Sequence, residues 1–338
     1  MRNGLVRLII FAAAIYSSSV SRAAFGQPPA ILRAGIIGLD TSHAEAFTKL
    51  LNDPNAAGDL AGVHVVAAFP GGSPDIALSR DRVGPVTDQM RAMGVEIVDS
   101  IPALLQKVDV VLLESVDGRP HLEQVRPVFE ARKPVFIDKP LAGSLADALT
   151  IARLGKKYNV PWFSSSSLRF DPRYQALKND PKAGEIVGCA AWSPCPLEPT
   201  QPDLFWYGIH GVEILYTEMG PGCVAVTRVH TDGADCVVAK WKDGRIGVFR
   251  GIRQGKEDYG AVAYGSKGVV PALGFGGYKP LVEQIARFFK TGKPPVAADE
   301  TIELYAFMEA ADESKRQGGC PVTIESVLAK AQHQQARR

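Results

Sequence analysis

I-L-R-A-G-I-I-G-L, residues 31–39, runs into D-T-S-H-A-E-A-F-T-K-L-L, residues 40–51, and this stretch decides the fold. A short apolar run closes on Gly38, and polar residues Asp40 to His43 open a helix-like segment. Strand, glycine turn and helix in that order begin a dinucleotide-binding βαβ unit. Thr41 or Ser42 can cap the helix through a side-chain oxygen. On the G-x-G-x-x-G template Gly38 stands first, Asp40 takes the second glycine and His43 the third. The second glycine normally lets backbone approach a pyrophosphate. A carboxylate there repels that group unless Asp40 turns away to cap the helix.

Working outward, strand-like runs follow at 63–69, 108–114, 134–137 and 160–164, with helical segments at 103–107, 122–131 and 144–158 between them. Such alternation implies a parallel sheet with right-handed crossovers. The third of these runs ends in Asp138-Lys139-Pro140. Proline fixes its own φ and biases the residue before it to an extended conformation. Lys139 is therefore directed from a strand's carboxyl end, where open α/β sheets bind ligands. The plain alternative is a solvated strand-end lysine. From about residue 171 strand-like runs dominate, at 187–193, 224–230, 236–241, 246–250 and 259–264, with Asp243-Gly244 as a hairpin turn. Residues 280–291 and 301–316 are helical, and the second helix is expected to pack back across both halves. The tail after Ala331 is polar and expected to fray.

The chain has 338 residues, 46% hydrophobic and 22% charged, which suits two globular domains. Residues 1–23 read as a secretory leader: Arg2 and Arg7 flank the start of an apolar run, and Ser21-Arg22-Ala23 offers small residues for cleavage. The apolar run is too short for a transmembrane helix, with an uncleaved anchor as the lesser alternative. Removing three arginines and no acids from a chain of net charge +2 leaves −1, so no nucleic-acid partner is implied. The expected location is outside the cytoplasm, with no membrane span after cleavage. Five cysteines, Cys189, Cys195, Cys223, Cys236 and Cys320, include no C-x-x-C, and the histidines are scattered. No metal is expected; the cysteines read as buried free thiols, with one disulfide among the first four as the alternative.

Four segments together resemble the Gfo/Idh/MocA family of sugar and cyclitol oxidoreductases. They are A-G-I-I-G-L at residues 34–39, D-V-V-L-L-E-S-V-D-G-R-P-H at 109–121, D-K-P at 138–140 and G-I-H-G-V-E at 208–213. The resemblance runs from about Leu32 to about Ala329. It implies an α/β fold: an N-terminal Rossmann-type parallel sheet domain at 30–165 and a C-terminal α+β domain at 166–295. The latter carries a mostly antiparallel, open-faced sheet whose open face meets the cofactor domain. A helical segment at 296–330 packs back on both. NAD or NADP is the implied cofactor, bound by Gly35, Gly38, Leu39, Asp40, Thr41, Ser42, His43, Glu114, Ser115, Val116, His121, Asp138 and Lys139. The second strand ends in Phe69-Pro70-Gly71-Gly72-Ser73, without the acid that holds an NAD ribose, and Arg80 or Arg82 is within reach of a 2′-phosphate. His121 is read as structural.

Lys139 and His210 match the family's two proton-handling residues. The alternative for His210, which opens an amphipathic-looking helix, is a core histidine bonded to Glu213. The family usually has an aspartate four residues before this histidine; here that residue is Trp206, an aromatic platform for a sugar ring, with Asp203 the nearest upstream carboxylate. Trp206, Tyr207 and Arg169 are the candidate substrate-binding residues, and a salt bridge to Asp171 is the alternative for Arg169. Two functional readings follow. One is an exported NAD(P)-dependent oxidoreductase acting on a sugar, cyclitol or glycoside hydroxyl. Its cofactor is either bound tightly enough to survive export or loaded afterwards, and some relatives use a retained NAD for redox-assisted glycoside cleavage. The other is a cofactor-free carbohydrate-binding protein or non-redox lyase. A homo-oligomer is compatible with both.

Overall fold

The computed structural model describes Met1 and residues 31–336; the leader reading at residues 1–23 otherwise lies outside the described residues. The first half alternates strand and helix: β1 Leu32–Ile37, α1 Ser42–Leu51, β2 Val63–Phe69, α2 Ala77–Ala92, β3 Glu96–Ile97, α3 Ile101–Leu105, β4 Val110–Leu113, α4 His121–Glu130, β5 Val135–Ile137, α5 Leu145–Tyr158 and β6 Trp162–Ser164. These strands form one parallel sheet in the order β3-β2-β1-β4-β5-β6. β4 and β5 are buried on both faces, as apolar strands between two helical layers must be.

The register of this sheet places the site. Ile37 pairs with Phe69 on one side and Leu113 on the other, and Leu113 pairs with Ile137. The next residues, Gly38, Pro70, Glu114 and Asp138, therefore lie side by side along the carboxyl edge. That edge, where the strand order reverses between β1 and β4, is the usual ligand crevice of such sheets.

A single 3₁₀ turn, Ser167–Phe170, leads to α6 Pro172–Leu177 and β7 Ile186–Pro194. A π-type turn, Leu204–Gly208, continues directly into α7 Ile209–Met219. Then come β8 Cys223–Thr231, β9 Ala234–Trp241, β10 Ile246–Ile252, β11 Gly260–Gly265, β12 Val269–Leu273, α8 Lys279–Thr291, α9 Ala298–Arg316, β13 Val322–Thr323 and α10 Ile324–Ala336. The second sheet runs β12-β11-β7-β10-β9-β8-β13 and is antiparallel except for the β7–β10 pair.

Five expectations change here. The open face of the second sheet does not meet the first domain: α7 packs on β7 and β10, α9 packs on β8, and the other face leaves Val229, Val238, Ile246 and Leu273 exposed. α8, placed by sequence with the second domain, buries Leu281, Val282, Ile285 and Phe288 in one cluster with Ile36, Phe47 and Val65 of the first. α7 is not amphipathic, since every one of its residues is buried. α10 persists to Ala336, where Gln335 Nε2 donates to Thr150 Oγ1 on α5. All five cysteines are free, but only Cys189, Cys195 and Cys223 are the buried thiols expected; Cys236 is half-buried and Cys320 exposed.

One buried ion cluster ties the second domain together. Arg228 is fully enclosed and donates to Asp235 at 2.7 Å, Asp312 at 2.5 Å and Asp203 at 2.9 Å. Such an arginine is tolerable only because its donors are matched by carboxylates.

Candidate functional site

The glycine turn after β1 is closed in on itself. Gly38 has φ +97°, and a Cβ there would lie 2.4 Å from the Ser115 amide nitrogen, so only glycine fits. The amides of Gly38 and Leu39 donate to the carbonyls of Phe69 and Pro70 at 2.9 and 2.7 Å. Thr41, not Asp40 or Ser42, is the N-cap of α1, its hydroxyl accepting from the His43 amide. Asp40 turns away in another direction. It is fully buried, accepting from Ser79 Oγ at 2.6 Å and the Val116 amide at 3.1 Å, and burial raises its pKa against those bonds. Gly35 lies further back in β1, where a Cβ would meet Val108 and Leu104.

Residues 73–76 then form a strap over this turn. Ser73 Oγ donates to Asp117 at 2.6 Å, Arg119 pairs with both Asp117 and Asp75, and Gln201 of the second domain donates to Asp117 at 2.6 Å. Burial alone would raise the Asp117 pKa, but the bonds from Arg119 and Ser73 outweigh it and hold the carboxylate ionised. Ile76 of the strap packs against Val116 and Trp206. Trp206 thus joins the strap to the second domain, and neither Asp75 nor Arg80 is a free ribose or phosphate ligand, since Arg80 turns to Asp81 and the Pro74 carbonyl.

Beyond the strap lies a cavity of about 120 Å³ between the domains. Its walls include Thr41, Ser42 and His43 of α1, Leu78 and Arg82 of α2, Val116, Lys139 and Trp206, Tyr207 and His210. Ser167, Tyr259, Phe275 and Tyr278 complete it. Lys139, joined to Pro140 by a cis peptide bond, is 7% exposed and directs Nζ over the Tyr207 ring, 5.5 Å from its centroid. The Tyr207 and His210 rings meet edge-on at 4.9 Å. His210 Nδ1 is 2.7 Å from Ser166 Oγ, which also accepts from the Leu168 amide. Burial, with Lys139 and His43 nearby, pushes the His210 pKa well below its usual value, so the ring is neutral. A neutral histidine beside a lysine in a small, partly polar cavity can exchange a proton with a bound hydroxyl.

Several sequence-selected residues sit elsewhere. Glu213 does not touch His210; it accepts from Arg169 Nε at 2.5 Å and from the Ser166 amide. Arg169 is buried between Glu213 and Glu300, is not paired with Asp171, does not line the cavity, and leaves Nη2 without a hydrogen-bond partner. Asp203 serves Arg228 and Lys315. His121 is fully buried with its ring nitrogens at the carbonyls of Ser115 and Leu141, and burial lowers its pKa. Ser115 Oγ donates to Gln124. Sequence reading passed over Tyr259, Phe275 and Tyr278. The run G-F-G-G-Y at residues 274–278, aromatics spaced by glycines, was the available signal.

The cavity falls below the ~300–1,000 Å³ of sites for drug-sized ligands. The turn that would face a pyrophosphate is buried beneath Asp40 and the strap, so residues 73–76 must move aside before a nucleotide can lie there.

Residues 32–165 match the oxidoreductase family with an NAD-binding Rossmann fold. Inositol 2-dehydrogenase of Corynebacterium glutamicum is 28% identical over 155 residues, 46% of this chain and 42% of that protein, so the chain spans less than half of that relative. Myo-inositol 2-dehydrogenase of Thermotoga maritima is 27% identical over 267 residues, 70% of this chain and 74% of the relative. The structure of scyllo-inositol dehydrogenase from Lactobacillus casei with bound NAD(H) and scyllo-inositol superposes with a TM-score of 0.71 at 15% identity, covering 87% of this chain and 99% of that one. Residues 32–165, with the lysine at the end of β5, thus match the NAD-binding Rossmann fold of the Gfo/Idh/MocA oxidoreductases, and the chain as a whole shares the two-sheet fold of the solved inositol dehydrogenase.

Proposed function

We propose that this protein is an exported oxidoreductase of the NAD(P)-dependent class that acts on a hydroxyl of a cyclitol or sugar. The observation that carries the reading is the meeting of Lys139, from the end of β5, with His210, from α7, in one interdomain cavity. A bound hydroxyl between them gives its proton to the neutral imidazole, while the ammonium stabilises the developing alkoxide. Tyr207 and Trp206 offer ring faces to a sugar, and Ser42, Ser167 and Tyr278 offer hydroxyls. The inositol dehydrogenases among the relatives support a cyclitol over other alcohols. The charged, apolar and small-residue order of residues 1–23 supports export.

The strap over the glycine turn favours a second reading, a cofactor-free carbohydrate-binding protein or non-redox lyase with the same proton-handling pair. Absorbance and mass spectrometry of small molecules released on denaturing the purified protein, with calorimetry of NAD⁺ and NADP⁺, separate the two. Released nucleotide, or saturable nucleotide binding, supports the first. A cyclitol that binds with no nucleotide detected by either method overturns it in favour of the second.

A further inference from the structure

We infer that His43, Glu114 and Asp138 form a binding site for a divalent transition-metal ion, of the Mn²⁺ or Zn²⁺ kind, at the floor of the interdomain cavity. The three residues come from the first turn of α1 and from the ends of β4 and β5, and the sheet register makes them neighbours. One ligand atom from each lies within 4.8 Å of the others. His43 Nδ1 is 2.6 Å from Asp138 Oδ2 and 3.9 Å from Glu114 Oε2.

The decisive observation is what Glu114 lacks. Its side chain is fully buried, and neither carboxylate oxygen has a hydrogen-bond partner; Asp138 Oδ1 has none either. A buried carboxylate left without partners is costly and needs a cation or a proton. Lys139 does not bond it, its Nζ lying over Tyr207 instead. One imidazole nitrogen with two carboxylates suits first-row transition ions, and three protein ligands leave coordination positions for a substrate oxygen. His43 is the ligand that borders the cavity, and its ring is fixed by stacking on Phe47 at 5.2 Å and an edge contact with Tyr278 at 4.7 Å. An ion there would act as a Lewis acid on an oxygen held beside Lys139. Sequence gave no sign of it, because the ligands are single residues on three separate elements.

The test uses the full chain, stripped with a chelator, dialysed, and titrated separately with MnCl₂ and ZnCl₂ by calorimetry. One ion per chain is expected. Glu114→Gln and His43→Asn should each weaken binding by more than the ~10–100-fold that loss of an outer-shell partner costs. Manganese-soaked crystals of the wild type should show an anomalous peak among the three side chains, which decides the matter even if a variant fails to fold. No ion bound by the wild type, affinity unchanged in both variants, or a peak elsewhere overturns the assignment and leaves Glu114 as a protonated acid.

Discussion

Two parts of one sheet edge differ in what fills them. Over β1, the glycine turn is covered by the protein's own strap, with Asp40, Ser73 and Asp117 bonded across it. Over β5, Lys139 opens into a cavity that no protein group fills. In the first, the carboxylates Asp40 and Asp117 and the hydroxyls of Ser73 and Ser79 have found partners within the chain; in the second, a lysine, a neutral histidine and several hydroxyls face a common space. Groups committed to one another hold a fold together, whereas groups left facing a cavity await a ligand.

The open half yields the largest expected effect. Lys139→Met and His210→Asn should each lower turnover by ~10²–10⁴-fold with little change in melting temperature, as loss of a proton-transfer group does. The double variant should be hardly worse than the worse single one, because groups acting as a unit are not additive. Single-turnover kinetics on a cyclitol substrate measure this, and a near-wild-type rate in Lys139→Met would erase the contrast.

The covered half yields the next. Asp117→Ala releases Ser73, Gln201 and Arg119 from the strap, so nucleotide should bind more tightly, by about tenfold if some 1.4 kcal/mol of strap closure is lost. Asp40→Gly should act in the same direction by freeing Ser79 and the Val116 amide. Calorimetry with NAD⁺ reads both; unchanged affinity in both would mean that the strap does not govern the bed.

Acid sharpens the contrast from the open side. The folded pKa of His210 lies well below its unfolded value. As pH falls below about 6.5 the unfolded chain takes up a proton that the folded one refuses, so stability declines by at most ~1.4 kcal/mol per pH unit from this residue. Denaturant melts at pH 7 and pH 5 should show a shallower loss in His210→Gln than in the wild type. The smallest effect belongs to the covered side: Thr41→Ala removes the cap of α1 and should cost about 1 kcal/mol at all pH values, read from the same melts.

The parallel sheet was legible because apolar runs alternating with helical periods admit few other folds, and Val63–Phe69 was read to the residue. α2 was not legible, since Gly84 and Pro85 interrupt a segment with few apolar residues. Lys139 and His210 were found by motif, and the structure brings them to one cavity. The ion pairs of Arg169 were not legible, because its partners, Glu213 and Glu300, are 44 and 131 residues away, beyond any local pattern. The same distance hid Asp40's partners and the grouping of His43 with Glu114.

α9 has a mechanical consequence. Along this one helix Glu300 holds Arg169 and through it Glu213 of α7, the Tyr305 hydroxyl accepts from the Leu141 amide just past Lys139-Pro140, and Asp312 grips Arg228, which holds Asp203 ahead of the aromatic turn. The lysine wall and the histidine wall are thus bolted to a common spar and cannot swing apart as a hinged pair. The remaining walls are the strap with α2, held at Ser73, Asp75 and Ile76, and the aromatic residues Tyr259, Phe275 and Tyr278, none of which that spar holds through these bonds.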